Sequence, residues 1–256
     1  MSGSILEREA IENEAAPQCV LVAGASGGIG SAFCRQLAER FPSATLVRLA
    51  RDLSSLQPLA VSTMDIGFDF GEESRIREAI AEIPEHLTID WVFVATGWLH
   101  KDGNGPEKTY RSLDADHLMQ AYRINAIGPA LLLKHLIPKL NPSQDCKVGI
   151  VSARVGSISD NRIGGWHSYR ASKAALNMLI KNFAIELARK KPRHILVGLQ
   201  PGTTDTALSA PFQRNVPEGQ LQTPDYTAEQ LFKVMRKLRP EDSGDLFDFL
   251  GIPFAP

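Results

Sequence analysis

The sequence predicts an α/β fold: a doubly wound parallel sheet of about seven strands with helices on both faces. Three observations point there. Short apolar runs alternate along the chain with segments of helical period, a dense run of glycines follows the first apolar run, and no repeat or low-complexity linker interrupts the pattern. Strands alternating with helices imply right-handed crossovers and a parallel sheet covered on both sides.

The elements follow in order. Residues 18–23 (QCVLVA) form a short apolar run ending in glycines, read as a buried strand. Residues 29–41 carry Ile29, Phe33, Leu37 and Ala38 at helical spacing, and Pro42 closes the helix. Strands are expected at 45–50, within 61–68, at 90–95, 147–152 and 194–199, and a seventh at 245–249. Helices are expected at 72–83, stopped by Pro84, and at 114–140, capped by Asp114 with a kink at Pro129. A further helix covers 168–190, and another opens at Thr227, where Gln230 completes a capping box. Between a strand and a helix, 201–225 is rich in Pro, Thr and Gln. A loop of that length inside a compact domain is usually functional, and here it is expected to close over a substrate.

Composition narrows the function. At 256 residues the chain suits one α/β domain and buries a sizeable core unaided. The net charge of -1 gives a nucleic-acid or membrane-surface partner no electrostatic support, and no apolar run approaches the roughly 20 residues of a membrane span. Residues 1–17 have neither the basic flank nor the apolar core of a signal peptide, and read as a flexible acidic leader ending at Pro17. Residues 18–256 then form the single domain, and the expected location is cytoplasmic. Cys19, Cys34 and Cys146 match no zinc or redox spacing, and the six histidines are scattered, so no metal site is expected.

The first strand runs into Gly24-Ala25-Ser26-Gly27-Gly28-Ile29-Gly30. Glycines let the backbone turn sharply and approach a pyrophosphate, and the next helix offers free N–H groups and a positive dipole end. Two other motifs share this stretch. A hydrolase nucleophile elbow belongs after a later strand, and a triphosphate-binding loop needs a Lys where Ile29 and Gly30 stand. The spacing of Gly24, Gly28 and Gly30 is four and then two, not the two and then three of the ordinary dinucleotide fingerprint.

The end of the second strand selects between nicotinamide cofactors, since an acidic residue there accepts from a ribose 2′-OH and an Arg pairs with a 2′-phosphate. Arg51 stands first after the strand and Asp52 one step too late, so NADP(H) is expected and NAD(H) remains open. Asp69, in Asp69-Phe70-Gly71-Glu72, is an N-cap of the next helix, a partner of the adenine, or both. In Tyr169-Arg170-Ala171-Ser172-Lys173 the phenol and the ammonium lie four residues apart, on one helical face. A positive neighbour stabilises a phenolate, so Tyr169 becomes a proton donor and acceptor.

With these motifs the chain resembles the short-chain dehydrogenase/reductase family over nearly its whole length. The phrases Asn125-Ala126-Ile127-Gly128-Pro129, Ser152-Ala153-Arg154-Val155-Gly156-Ser157 and Gly251-Ile252-Pro253-Phe254 resemble its C-factor-like and sniffer-like carbonyl reductase branch. The resemblance implies a Rossmann-type fold and a catalytic set of Asn125, Ser152, Tyr169 and Lys173, with Asn125 holding a proton-relaying water. It implies cofactor contacts at Gly24, Ser26, Gly28, Ile29, Gly30, Arg51, Asp69, Phe70, Ala95, Thr96 and Gly97. Further contacts are implied at Tyr169, Lys173, Pro201, Gly202, Thr204 and Thr206, the two threonines facing the nicotinamide amide and the diphosphate. It also implies a small carbonyl or alcohol substrate and association into a homodimer or homotetramer through the two long helices.

Two departures matter. Val94-Ala95-Thr96-Gly97 replaces the family's Asn-Asn-Ala-Gly, and Ala153 occupies the usual serine column. Ser152, one position earlier, serves only if the strand end shifts, because side chains alternate. Ser157 lies beyond the glycine and needs no such shift. The expected function is interconversion of a carbonyl compound and its alcohol. The alternative is a non-catalytic dinucleotide-binding module in signalling or redox sensing. Trp98, Trp166, His167 and Phe212 are candidates to line the pocket.

Overall fold

The structure is a computed structural model that describes residues 3–9, 15–100, 105–190 and 193–256. Its centre is a seven-stranded parallel sheet. In chain order the strands are β1 (Cys19–Ala23), β2 (Thr45–Ala50), β3 (Thr63–Gly67), β4 (Trp91–Val94), β5 (Lys147–Val151) and β6 (Ile195–Gln200). A short pair, β7 (Thr203–Thr204) and β8 (Leu221–Gln222), stands apart, and β9 (Leu246–Asp248) completes the main sheet in the order β3-β2-β1-β4-β5-β6-β9. The order reverses between β1 and β4, and a crevice opens beyond the carboxyl ends of strands at such a switch point.

Side-chain alternation along the strands divides the core into two layers. Cys19, Leu21 and Ala23 of β1 face one way with Val92 and Val94 of β4, packing against α2 (Glu73–Ala81), α4 (Gly128–Leu136) and α5 (His167–Lys190). Val20 and Val22 face the other way with Trp91 and Phe93, against α1 (Gly28–Arg40) and α6 (Pro224–Lys237). That second layer is aromatic: Phe33 stacks on Phe93 at 3.9 Å between centroids, and Phe41, Trp91 and Phe232 gather beside them. Arg48 lies inside β2 as a buried cation. It pairs through two hydrogen bonds of 2.7 Å with Asp65, its register partner on β3.

Several elements differ from expectation. The helix at 114–140 keeps its Asp114 cap, which accepts from the His117 N–H at 2.8 Å, but it is not continuous. It runs as α3 (Ala115–Tyr122), then a wider π turn over Arg123–Ile127, then α4. Pro129 has no N–H to give the Asn125 carbonyl four residues back, and the chain passes this point with the Gly128 N–H reaching Arg123 O. Helix α6 begins at Pro224, not Thr227. Thr223 caps it, accepting from Tyr226 N, and Pro224 takes the first helical position, where a missing N–H costs nothing. Asp69 does not cap α2; Glu72 stands at that cap, and the Asp69 carboxylate folds back onto the Gly71 N–H.

The leader is also different where it is described. Ile5 is buried and donates its N–H to Gly251 O at 2.9 Å, while Arg8 forms a two-pronged bond to Asp242 at 2.7 and 2.9 Å. Residues 4–8 therefore strap the end of β9 to the foot of α6, which closes the Lys237 ammonium onto Arg8 O. The rest of the expected leader falls partly on 1, 2 and 10–14, outside the described residues. Among the described residues, no helix is long and apolar enough to cross a membrane.

The glycine turn gives a steric prediction. A Cβ on Gly30 would overlap the carbonyl oxygen of Gly24, a backbone atom that cannot yield, whereas a Cβ on Gly67 would meet nothing within 4 Å. Gly30→Ala is expected to cost about 1–3 kcal/mol, the range for overpacked sites, and Gly67→Ala to stay within about 0.5 kcal/mol. Thermal melts of the two variants check this, and equal melting temperatures would refute the steric reading.

Candidate active site

The site is built at the carboxyl edge of the sheet. β1 ends at Ala23, and Gly24 turns the chain with φ of 81°, its N–H and that of Ala25 both donating to Leu49 O at the end of β2. Gly27 stands at the cap of α1 without a side-chain cap, and the first helical bond runs from Ser31 N to Gly27 O. The N–H groups of Gly28, Ile29 and Gly30 therefore have no intrahelical partner and face outward with the positive end of the helix dipole. A Cβ at Gly24 would lie 3.0 Å from Ala95 O, so the turn rests directly on the exit of β4. Thr206 reaches over from the segment after β6: a Cβ at Gly28 would come within 2.7 Å of its methyl carbon.

The other residues expected at a cofactor divide. Arg51 is exposed just after β2 and makes no ion pair among the described residues. Its neighbour Asp52 is occupied, accepting from Ser54 N at 3.0 Å and Ser54 Oγ at 2.6 Å; those bonds hold its carboxyl below the ordinary range. Thr96 places a buried Oγ1 at the crevice with no hydrogen-bond partner among the described residues. Gly97 is exposed and Ala95 half-buried. Phe70 and Thr204 turn inward instead. Phe70 packs edge-on against Phe68 and fills the space above Gly128. Thr204 is buried with its hydroxyl 2.9 Å from that of Thr227. Gly202 has φ of 74°, the left-handed conformation that brings the chain around after Pro201.

Open N–H groups at a helix start, glycines that admit a close approach, an unpaired Arg at the ribose end and an orphaned hydroxyl all fit a dinucleotide with a diphosphate. The residues present are compatible with that group.

Tyr169 lies in the first turn of α5 and Lys173 one turn on, with the ammonium 5.9 Å from the phenol ring centroid. Lys173 is 2% exposed and donates to Val151 O at 2.9 Å, at the end of β5. Burial pulls its pKa down to about 8, and burial pushes the phenol of the half-buried Tyr169 up to about 12. Each group is thus held toward its neutral form.

Asn125 links three parts of the site. Its Oδ1 accepts from Trp98 N at 2.8 Å, and its Nδ2 donates to Trp98 O at 2.8 Å and Ser172 Oγ at 3.0 Å. Ser172, between Tyr169 and Lys173 in sequence, passes its own proton to Tyr169 O at 2.8 Å. The π turn, the exit of β4 and the first turn of α5 are locked together through one buried amide.

Ser152 is not brought to Tyr169. Its N–H continues the ladder to β6, bonding Leu199 O at 2.8 Å, and its hydroxyl donates to Asn177 Oδ1 at 2.6 Å. Asn177 stands two turns beyond Tyr169, about 12 Å along the helix. The register shift that would have turned Ser152 toward the phenol does not occur, because the strand ladder is intact. Ser157 is buried after the Arg154–Gly156 turn, its Oγ accepting from Asp160 N at 3.2 Å.

An open cavity of about 660 Å³ is walled by His100, Pro106, Glu107, His117 and Phe212. Phe212 lies in the 3-10 turn Ala210–Asn215 of the 201–225 segment and packs on Trp166, whose ring stands edge-on to Tyr169 at 6.2 Å. Trp98 lies 4.6 Å from His117. Of the four residues expected to line a pocket, Phe212 is in this wall; Trp166 packs between Phe212 and Tyr169, Trp98 packs on the wall residue His117, and His167 opens α5.

Sequence reasoning passed over Glu107. Its carboxylate is buried and accepts from Ser168 N at 3.1 Å and from the Ser168 hydroxyl. Burial pushes the carboxyl up, but those bonds and the nearby His117 outweigh it and hold it below the ordinary range. Glu107 O also accepts from Trp166 N at 2.5 Å, where Trp166 has φ of 51°. A non-glycine residue in that region costs about 1–3 kcal/mol and persists where its surroundings impose it. No local pattern marks Glu107, since its partners lie some sixty residues on.

Comparison with known proteins agrees with this arrangement. Over 230 residues the chain is 35% identical to 1-hydroxy-2-glutathionyl-2-methyl-3-butene dehydrogenase of Rhodococcus sp. (strain AD45), covering 88% of this chain and 93% of the relative. It is 32% identical to the C-signal protein of Myxococcus xanthus over 54% of this chain and 78% of that one. Among solved structures, the NADPH-bound carbonyl reductase from chicken fatty liver superposes with a TM-score of 0.79 at 23% identity, covering 95% of this chain and 96% of that one. The family model for short chain dehydrogenase matches residues 18–217. With the glycine turn at the switch point and Tyr169 and Lys173 on one face of α5, the chain belongs to the short chain dehydrogenase family of oxidoreductases.

Proposed function

We propose that this oxidoreductase interconverts a carbonyl compound and its alcohol with NADP(H), using Tyr169 as general acid and base. The observation that carries the reading is the Tyr169–Lys173 pair on α5, with Lys173 bonded to the carboxyl end of β5. The dinucleotide, when bound, supplies or accepts the hydride. The open N–H groups of Gly28, Ile29 and Gly30 would hold its diphosphate, with Ser26 and Thr206 beside them, and Arg51 its 2′-phosphate. Structural neighbours described as NADPH-bound and NADP-bound, from chicken and Burkholderia multivorans, support the choice of phosphate.

Tyr169 is held as a phenol in the free protein, which is the form that donates to a carbonyl oxygen during reduction. The Lys173 ammonium beside it lessens the cost of the phenolate left behind. Asn125 keeps both groups in register through Ser172 and Trp98. Ser152 gives its proton to Asn177, and Ser157, the other serine near the end of β5, lies with its hydroxyl 3.4 Å from that of Ser159. Exposed Met119, Ile127, Met178 and Ile185 on α3, the π turn and α5 favour self-association through these helices. The rival reading, a non-catalytic dinucleotide module, gains no observation of its own.

Three outcomes are expected. Tyr169→Phe removes the proton donor and little volume; turnover of a carbonyl panel, followed by NADPH absorbance, should fall about 10²–10⁴-fold with cofactor affinity unchanged. A variant keeping over a tenth of the wild-type rate rules out the assignment. Arg51→Ala deletes a charge-assisted contact of roughly 1.5–3 kcal/mol, so NADPH affinity should drop by about one to two decades while NADH affinity barely moves. Equal binding of NADH and NADPH to the wild type refutes the phosphate clamp. Finally, kcat/KM for reduction reports groups on the free enzyme. It should fall as pH rises through about 8, where Lys173 loses its proton and the phenolate its support. A profile flat to pH 10 would remove the ammonium from the mechanism.

A further inference from the structure

Glu107 has no role in the hydride or proton transfer described above, yet its placement is costly. It is a buried carboxylate, 5% exposed, with no Lys or Arg within ion-pair distance among the described residues. A buried charge without a counter-ion persists where hydrogen bonds compensate it. Here the compensation comes from the N-terminus of α5: Ser168 gives both its N–H, at 3.1 Å, and its hydroxyl. Helix α5 therefore begins on a side chain from the loop between β4 and α3, not on a cap from its own flank. The same residue's carbonyl holds Trp166 N at 2.5 Å, fixing a left-handed residue that follows two left-handed glycines, Gly164 and Gly165. Glu107 also forms part of the cavity wall that Phe212 and His117 complete.

We infer that Glu107 is a positioning residue: it clamps the first turn of α5 to the wall of the substrate cavity and so sets where the Tyr169 hydroxyl stands. The inference rests on the reading of Tyr169 as the proton donor. Trp166 and Ser168 lie on either side of His167, immediately before Tyr169, and both are held by this one residue. Without the clamp, Trp166 is free to relax from its left-handed conformation, and the first turn of α5 loses its only acceptor from outside the helix among the described hydrogen bonds of Ser168. Proton transfer depends steeply on placement; a displacement of about 1 Å costs on the order of 10²-fold in rate. The effect belongs to turnover, because neither the glycine turn nor Arg51 touches Glu107.

The test compares Glu107→Ala and Glu107→Gln with Arg8→Ala, which removes the two-pronged bond to Asp242, away from the catalytic machinery. Glu107→Ala should lower kcat by about 10–100-fold with KM and NADPH affinity within about threefold. Glu107→Gln keeps an acceptor and should recover to within about fivefold of wild type. Arg8→Ala should lower the melting temperature and leave kcat within about twofold. Hydrogen exchange at amides 166–170 should accelerate in Glu107→Ala alone, and this is read without any substrate. The inference is overturned if Glu107→Ala keeps half the wild-type kcat, if Arg8→Ala loses as much activity, or if exchange at 166–170 is unchanged. Should the wild type turn over no carbonyl compound, the reading of Tyr169 fails, and the exchange comparison still decides the clamp.

Discussion

Seven strands run the same way, and that constraint places everything else. A parallel sheet needs a crossover after each strand, and the crossovers cover both faces with helices. All strand ends of one kind then lie along one edge. The glycine turn after β1, the Arg51 exit of β2, the Thr96 exit of β4 and the Val151 end of β5 share that edge because the sheet leaves them no other place. Between β1 and β4 the order reverses, and the helices after these strands diverge to opposite faces. The gap so formed is where the uncapped start of α1 points its N–H groups.

Within that edge, buried charge is managed by hydrogen bonds from backbone and hydroxyls. Lys173 is driven toward neutrality by burial and has a backbone carbonyl as its partner, so its ammonium is poised to respond to charge on the adjacent phenol. Glu107 takes the opposite course: burial opposes its charge, and the start of α5 restores it. A carboxylate at a helix N-terminus and an ammonium one turn inside it bracket Tyr169. The two buried groups thus shift in opposite senses, Lys173 toward its neutral form and Glu107 toward its charged one.

Rigidity at the site comes from Asn125. An amide that uses one acceptor and two donors on two partners, Trp98 after β4 and Ser172 of α5, leaves its side chain no slack. The π turn that carries it is tied to Pro129, which removes one helical hydrogen bond and widens the turn locally. A straight α-helix would present residue 125 with a different azimuth. The irregular helix is thus coupled to α5 through Ser172, and to the exit of β4 through Trp98.

Much of this was legible in the residues. The parallel sheet, its strand positions, the glycine turn and the Tyr169–Lys173 spacing are local patterns: alternation, helical period, clearance for a backbone turn and a four-residue step along one face. These depend on neighbours a few positions away, so the sequence by itself determined them. What the tertiary structure decided involves partners far apart in the chain. Ser152 reads as the replacement for the missing serine provided that the strand end shifts, and instead Asn177 accepts its proton. Phe70 and Thr204 read as cofactor neighbours, but packing against Gly128 and Thr227 turns them inward. The N-terminal residues read as a loose leader until Asp242 and the strand end at Gly251 bind them. Glu107 carries no signal in the sequence, and acquires its partner only when the chain returns sixty residues later with an unsatisfied helix start. The physical reason is common to all four: a side chain's direction is set by which distant donor, acceptor or cavity reaches it first, and local sequence periodicity carries no information about that distant partner.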